Sequence, residues 1–335
     1  MFLTRTLLIS TAVFFSGSCF NSFASAKNDL QKVSFALDWT PNTNHIGVYD
    51  SKQTGEYAKA GIDLSIIQPN QTTAMQLIAS GKVQFGVSFL SDLIRARAAG
   101  MPVVSVAAII QHNTSCFAWR KDSNIKTMKD WENKRYGGWG SPEEEQTLKF
   151  LMNKQGLKFE KIKIVTTGIS DFLTSTPKNA DFMWIYKGWD GIHAKLAGVQ
   201  FETLCLDALD PAFDHPSPLL VTSEKIIKEN PELIRKFLAA TRVGYENAIK
   251  NPTIAAEHLL KQVPELDSKL VYESAKFLAP EFSKGAPYWG WQNEQAFERN
   301  LKWVQNQKLI AEPLPVKSLF TNLFIEKKSQ NIDNK

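Results

Sequence analysis

Between residues 33 and 110 the chain alternates short apolar runs with longer mixed ones. Val33-Ser34-Phe35-Ala36-Leu37 sets large apolar side chains against small ones with period two, the signature of a strand. Pro41 forbids further ladder pairing, Asn42-Thr43-Asn44 makes a polar loop, and residues 46–59 read as helix. The alternation continues with a strand at 61–67, a helix at 72–80 stopped by Gly81 and a strand at 83–87 ending before Ser88. A helix around 92–99 is then stopped by Gly100, and a near-continuous apolar run follows at 103–110. This β-α-β-α-β-α-β series predicts a parallel sheet with helices on its faces.

The pattern then restarts. Residues 117–120 are short and extended, 134–140 are a strand running into a glycine-rich turn, and Ser141-Pro142-Glu143-Glu144 opens a helix to about 154. Ser141 is its N-cap, Pro142 its first residue, and Glu144 completes a capping box. Strands at 162–165, 181–186 and 201–206 follow, with a helix near 189–197 between the last two. Pro211, Pro216 and Pro218 then interrupt the chain as in a crossover. The last third is mostly helical, at 231–250, 253–262, 266–278 and 293–306. In the first of these Leu233, Ile234, Phe237, Leu238, Ala240 and Val243 share roughly one face. The expected fold class is α/β, with two lobes around a cleft as in hinge-closing binding proteins. The lobes are expected at 27–112 plus 217–325 and at 113–216, followed by a charged, fraying tail at 326–335. A single secreted α/β enzyme is the alternative.

Composition alters this picture mainly at the N-terminus. Arg5 and the apolar run 7–15, too short to span a bilayer, precede Ala24-Ser25-Ala26, a small-x-small cleavage site. Residues 1–26 therefore read as an export signal, and the mature chain is expected in the periplasm. Cys19 leaves open a lipid-anchored form. The whole chain carries 39 Lys and Arg against 34 Asp and Glu; losing Arg5 leaves 38 − 34 = +4. With no basic block, nucleic acid is not an expected partner. Cys116 and Cys205 fit no metal spacing; an oxidising envelope would allow them to pair, but two separate buried thiols are the expectation.

Catalytic signatures are absent: no G-x-S-x-G, no G-x-x-x-x-G-K-[ST], no H-E-x-x-H. The histidines are scattered, His258 is expected to face solvent, and no metal or cofactor is expected. The Gly137-Gly138-Trp139-Gly140 turn places backbone N–H groups at a helix start, either as a site for acceptor atoms or as a purely structural turn. Of the nine tryptophans, Trp39, Trp139, Trp184 and Trp189 fall at strand ends or turns, with Tyr49 and Tyr186 beside them. Aromatic walls suit a flat heteroaromatic ligand, and Asp38, Glu144 and Asp190 would accept from its amino groups. A strand end bearing Asp38, Trp39 and His45 lies where α/β sheets bind ligands, although a polar turn with one buried tryptophan fits it too.

Five blocks recur together: Asp38-Trp39-Thr40-Pro41-Asn42-Thr43-Asn44-His45, Gly81-Lys82-Val83-x-Phe85-Gly86, Gly137-Gly138-Trp139-Gly140-Ser141-Pro142, Asp181-Phe182-x-Trp184-Ile185-Tyr186-x-Gly188-Trp189-Asp190, and Asn230-Pro231-Glu232-x-Ile234-Arg235-Lys236-Phe237. In that order they resemble the substrate-binding proteins of bacterial ABC transporters that import thiamine pyrimidine precursors, formylaminopyrimidine or hydroxymethylpyrimidine. The resemblance implies a type II periplasmic-binding-protein fold, a permease and an ATPase as partners, and a monomer. The same superfamily contains the fungal pyrimidine synthase of thiamine biosynthesis. That enzyme carries pyridoxal phosphate on a lysine two residues after the Gly-Lys-Val-x-x-Gly step and a histidine four residues further on; here those positions are Ser88 and Asp92. Without the lysine no Schiff base forms there. A riboflavin or sulfonate binder is a further alternative.

Carried over by position, the resemblance implies a ring pocket lined by Asp38, Trp39, Asn44, His45 and Tyr49, with Ser88 beneath. From the other lobe it implies Trp139, Gly140, Ser141 and Glu144, with Trp184, Tyr186, Trp189 and Asp190 opposite. Trp39 and one of Trp139, Trp184 or Tyr186 are expected to stack on the ring, while Asp38 or Asp190 reads its amino group. His45 either lines the pocket or only braces the loop.

Overall fold

A computed structural model describes residues 30–325 apart from 71 and 169. The expected export signal, the Cys19 alternative and the charged tail lie outside the described residues.

Ten strands form two five-stranded sheets. The first contains β1 (Gln31–Ala36), β2 (Ile62–Ile67), β3 (Phe85–Ser88), β4 (Val103–Ala108) and, from much later in the chain, β10 (Leu219–Ser223), in the order β2-β1-β3-β10-β4. The second contains β5 (Ser115–Arg120), β6 (Arg135–Gly138), β7 (Lys163–Thr166), β8 (Phe182–Tyr186) and β9 (Phe201–Cys205), in the order β7-β6-β8-β5-β9. The first sheet departs from the expected all-parallel series, because β10 inserts antiparallel between β3 and β4. The apolar residues Leu219-Leu220-Val221 allow this, since every residue of β10 is buried. In the second sheet β5 runs antiparallel to both neighbours.

That pairing corrects the expectation for the cysteines. Cys116 and Cys205 stand directly opposite each other in β5 and β9, and they form a disulfide. Opposed positions on an antiparallel pair bring Cβ atoms within bonding reach, a proximity that a sequence separation of 89 conceals.

Six helices matter for the site: α1 (Ile46–Gln53), α2 (Leu90–Ala98), α3 (Pro142–Lys154), α4 (Pro231–Lys250), α5 (Ser268–Leu278) and α6 (Glu294–Asn306). Helix α4 lies against the first sheet, with Phe237 stacked on Phe85 at 3.9 Å. Val243 does not share that face: it is 44% exposed, because its place around the helix points it away from the packed face that Tyr245 and Ala248 continue. His258 does not simply face solvent either. Its Nδ1 lies 2.6 Å from Oδ1 of the buried Asp50 on α1, a partner distant in sequence.

The sheets are joined by two crossovers, residues 109–114 and 206–218. These run side by side: the Ile109 N–H donates to the Pro218 carbonyl (2.9 Å) and the Ser217 N–H to the Ile110 carbonyl (3.1 Å). His112 and Asp214 pair across them at 2.8 Å. Arg299 and Asn300 of α6 donate to the carbonyls of Pro211 and Ala212, which fixes the second crossover.

Candidate ligand-binding site

A cavity of about 410 Å³ opens between the sheets, bounded by the loop after β1, the start of α2, the turn before α3, the end of β8 and both crossovers. In the loop after β1, Asn42 caps the turn Thr43–His45 and its N–H donates to His45 Nδ1 (3.2 Å). Since that nitrogen must accept, Nε2 carries the proton and donates to Asp38 Oδ1 at 2.6 Å. His45 is fully buried and lies behind the cavity wall, so it braces the loop and aims Asp38. Among the described residues Asp38 Oδ2 has no hydrogen-bond partner, and Asp38, Trp39, Asn42 and Asn44 line the cavity.

The turn before α3 looks similar in sequence but uses its acid differently. Glu144 is buried, and its Oε1 accepts from the Tyr136 hydroxyl (2.7 Å) and the Trp139 N–H (3.2 Å). Its Oε2 accepts from the N–H groups of Gly140 (2.9 Å) and Ser141 (3.0 Å). Of the two readings of this turn, the structure has the structural one: these backbone donors are taken from within. Glu144 and Gly140 do not line the cavity; Trp139 and Ser141 do. Close approach explains the glycines here: a Cβ on Gly138 would lie 2.4 Å from Glu144 Oε1, and Gly140 has φ +91°. Burial pushes the Glu144 carboxyl up, with its hydrogen-bond donors opposing the shift.

Two more expected positions fall outside the lining. Tyr49 packs in the core beneath α1, because successive helix positions turn it away from the loop that precedes it. Ser88 is buried at the end of β3, paired with Leu219, and the chain presents Phe89 to the cavity instead.

Trp184, Tyr186, Trp189 and Asp190 do line the cavity. Trp184 is held edge-on between Trp139 (5.5 Å) and Phe117 (5.4 Å), and its indole N–H is buried with no hydrogen-bond partner among the described residues. Trp139 is 45% exposed and offers an open face. Asp190 Oδ2 accepts from the Tyr186 N–H (2.9 Å), and burial pushes its carboxyl up. Burial also raises the Tyr186 phenol well above its ordinary range, reinforced by the charges of Glu143, Asp38, Asp92 and Asp190. The lining holds five carboxylates, Asp38, Asp92, Glu143, Asp171 and Asp190, and a single cationic side chain, Arg95. Arg95 is already committed: it pairs with Asp92 on its own helix and with Glu143 of α3 at 3.2 Å. That second pair joins the two lobes, as do the Phe89–Tyr186 ring contact (6.0 Å) and a hydrogen bond from Ser274 of α5 to the Gly188 carbonyl.

Comparison with known proteins gives the family and the fold. The family described as NMT1/THI5 like matches residues 42–255. The chain belongs to the NMT1/THI5-like family. It is similar to a formylaminopyrimidine-binding protein of Halalkalibacterium halodurans, 25% identical over 330 residues, which is 95% of this chain and 98% of that one. It is also similar to the 4-amino-5-hydroxymethyl-2-methylpyrimidine phosphate synthase THI11 of Saccharomyces cerevisiae, 25% identical over 262 residues, or 72% of this chain and 74% of that one. Among solved structures the alkanesulfonate-binding protein SsuA of Xanthomonas axonopodis pv. citri, bound to MOPS, superposes with TM-score 0.65 at 13% identity. That match covers 88% of this chain and 99% of that one. The likeness shows the fold, the two-lobed arrangement of periplasmic binding proteins with α/β lobes.

In this NMT1/THI5-like chain several lining residues were not expected from the sequence: Phe89, Arg95, Glu143, Asn113, Ser115, His215 and Ser217. For Glu143 the signal lies in the capping box itself. A glutamate at the third helical position must turn back to the N-cap, so its predecessor is the acid free to face outward. The crossover residues carry no such signal, because two distant segments meet there. Among the described residues no cluster of three His, Cys, Asp or Glu could hold a metal, and no helix is long and apolar enough to cross a membrane.

Proposed function

We propose that this protein is the solute-binding component of an ABC importer and captures a thiamine pyrimidine precursor, formylaminopyrimidine or hydroxymethylpyrimidine. It would work in the periplasm as a monomer, delivering ligand to a permease coupled to an ATPase. One observation carries the reading: a cleft walled by Trp39, Trp139, Trp184, Tyr186 and Trp189 holds five carboxylates, and its one guanidinium is already paired. Aromatic faces suit a flat ring, worth about 0.5–1.5 kcal/mol per stacked pair beyond burial. Asp38 Oδ2 is the free acceptor for a ring amino group. A sulfonate would enter an excess of like charge here, which disfavours that alternative despite the shared fold.

Capture proceeds by lobe closure. A ligand touching Asp38 and Trp39 on one side and Trp139 and Tyr186 on the other binds the closed form better than the open one, and that difference shifts the equilibrium. The synthase reading is disfavoured by residue chemistry. The lining includes no lysine, Ser88 is buried behind Phe89, and Asp92 is paired with Arg95, so no Schiff base to pyridoxal phosphate can be formed in the cleft.

Titration calorimetry of the mature protein against 4-amino-5-hydroxymethyl-2-methylpyrimidine, its formylaminomethyl analogue, riboflavin and taurine tests the reading. Saturable binding of either pyrimidine is expected, with no heat from taurine. Binding of taurine or riboflavin with no response to either pyrimidine contradicts it.

A further inference from the structure

The two lobes also meet outside the cavity. Helix α5 is rooted in the first lobe, with Val271, Ala275 and Leu278 in its core. Against it lies the wide π-helical turn Lys187–Gly191 that follows β8 of the second lobe. The fit is close: a Cβ on Gly188 would lie 2.6 Å from Leu278 Cδ2, and Trp189 packs against the first lobe's core. Single π-helical turns recur at functional sites.

At the centre of this contact is Ser274, fully buried, with Thr43 buried beside it. The Ser274 hydroxyl donates to the Gly188 carbonyl. A carbonyl can only accept, so the Ser274 hydrogen is committed there, and in the contact between the two hydroxyls Thr43 is the donor. The result is a directional chain, Thr43 O–H to Ser274 O–H to Gly188 C=O, that crosses from one lobe to the other. Each end is joined to a wall of the cavity. Thr43 lies between Asn42 and Asn44, which line the cavity from the loop after β1. Gly188 lies between Tyr186 and the pair Trp189 and Asp190, which line it from the second lobe. The three relay residues themselves do not line it.

We propose that Ser274 is a positioning residue for capture: it holds the two ligand walls in register and biases the lobes toward closure without touching ligand. The inference rests on the lobe-closure reading and not on which ligand is bound. A contact made by the chain's own groups favours closure equally for every ligand, whereas Asp38 and the aromatic walls discriminate among ligands. The apparent dissociation constant is the intrinsic one divided by the closed fraction, so a smaller closed fraction weakens binding in proportion. The Arg95–Glu143 pair joins the lobes differently, through charges still within reach of solvent and therefore of salt. The hydroxyl chain is buried and neutral, and its contribution does not fade with ionic strength.

The test is Ser274→Ala. Small-angle X-ray scattering of the ligand-free variant should give a larger radius of gyration than wild type. Titration with 4-amino-5-hydroxymethyl-2-methylpyrimidine should show about tenfold weaker binding, carried mainly by faster dissociation. Thr43→Val, which removes only the far hydroxyl, should cost about threefold, and the double variant should bind no worse than Ser274→Ala alone, as a single chain requires. Unchanged scattering, unchanged affinity or additive losses overturn the assignment, and so does a fall in unfolding stability that leaves dimensions and dissociation rate as they were. If Ser274→Ala does not fold, Gly188→Ala opens the same contact from the other lobe, and the same expansion and weakening are expected. The two readings fail separately. If wild type binds no pyrimidine, the pyrimidine reading falls and the scattering comparison still decides the relay; pyrimidine binding with unchanged scattering sinks the relay alone.

Discussion

The loop after β1 and the turn before α3 face each other across the cleft and share a composition: a strand end, a tryptophan, a buried acid and tight backbone geometry. In the first, His45 holds one oxygen of Asp38, and the other oxygen remains open to the cavity. In the second, both oxygens of Glu144 are consumed by the turn's own donors. One acid is presented by its loop; the other builds its loop. The difference shows that an acid beside an aromatic at a strand end does not by itself identify a ligand contact. What decides is whether local backbone donors claim the carboxylate first, and a capping box announces that they will.

Breaking the comparison at its structural side has the largest expected effect. Glu144→Ala leaves the Tyr136 hydroxyl and three backbone N–H groups without their acceptor, so stability should fall by about 3 kcal/mol in urea unfolding. A variant of unchanged stability that had lost ligand would place Glu144 with Asp38 instead.

The buried His215 of the second crossover gives a pH test. The His215 pKa is lowered to about 4 in the folded protein, by burial first, with Arg299 acting in the same direction and Asp214 and the Pro216 carbonyl opposing. The unfolded chain therefore takes up a proton there near pH 6.5 while the folded one does not. Stability should decline as pH falls from about 6.5 to about 4, by up to about 3 kcal/mol from this group, and His215→Phe should flatten the decline. An equally steep decline in the variant would move the effect to another group. The neighbouring His112 acts in the opposite sense, since its hydrogen bond to Asp214 raises its pKa and its contribution grows as pH falls, while the lowered Asp214 loses its own contribution only as pH falls through the carboxylate range; comparing the variant with wild type isolates His215.

Trp39→Ala should weaken pyrimidine binding by roughly ten- to hundredfold through loss of one stacking wall and its buried area. The melting temperature of the ligand-free protein should stay nearly unchanged, because Trp39 is only half-buried. A large drop in that temperature would make Trp39 a core residue. Trp139→Ala should be milder still, costing under about 1 kcal/mol of stability, as its 45% exposure indicates.

Much of this was readable from the chain. The strand-helix alternation up to residue 110, the restart after it, and the capped helix after Ser141 follow from periodicity and cap chemistry, which are local. Trp39, Trp139, Trp184 and Tyr186 are legible for the same reason, as aromatics at strand ends. What was not legible depends on distant segments meeting. Strand β10 inserts between β3 and β4, Cys116 meets Cys205, His258 finds Asp50, and His112 pairs with Asp214 across the crossovers. Arg95 illustrates the same limit: an ordinary helix-surface residue in sequence, it spans to Glu143 on the other lobe. Tyr49 was misplaced for a simpler reason, since the loop's direction does not persist once α1 begins and the helix turns its side chain into the core.

The most direct measurement is the affinity of Asp38→Asn for 4-amino-5-hydroxymethyl-2-methylpyrimidine, alongside its unfolding free energy. Asparagine keeps an oxygen for the His45 N–H and replaces the open acceptor with a donor, so the loop stays braced while the ring amino group meets a like donor. Binding should weaken about a hundredfold with stability within about 0.5 kcal/mol of wild type. Unchanged affinity, or a loss of stability that accounts for the loss of binding, would contradict the assignment of Asp38 as the acid that reads the ligand.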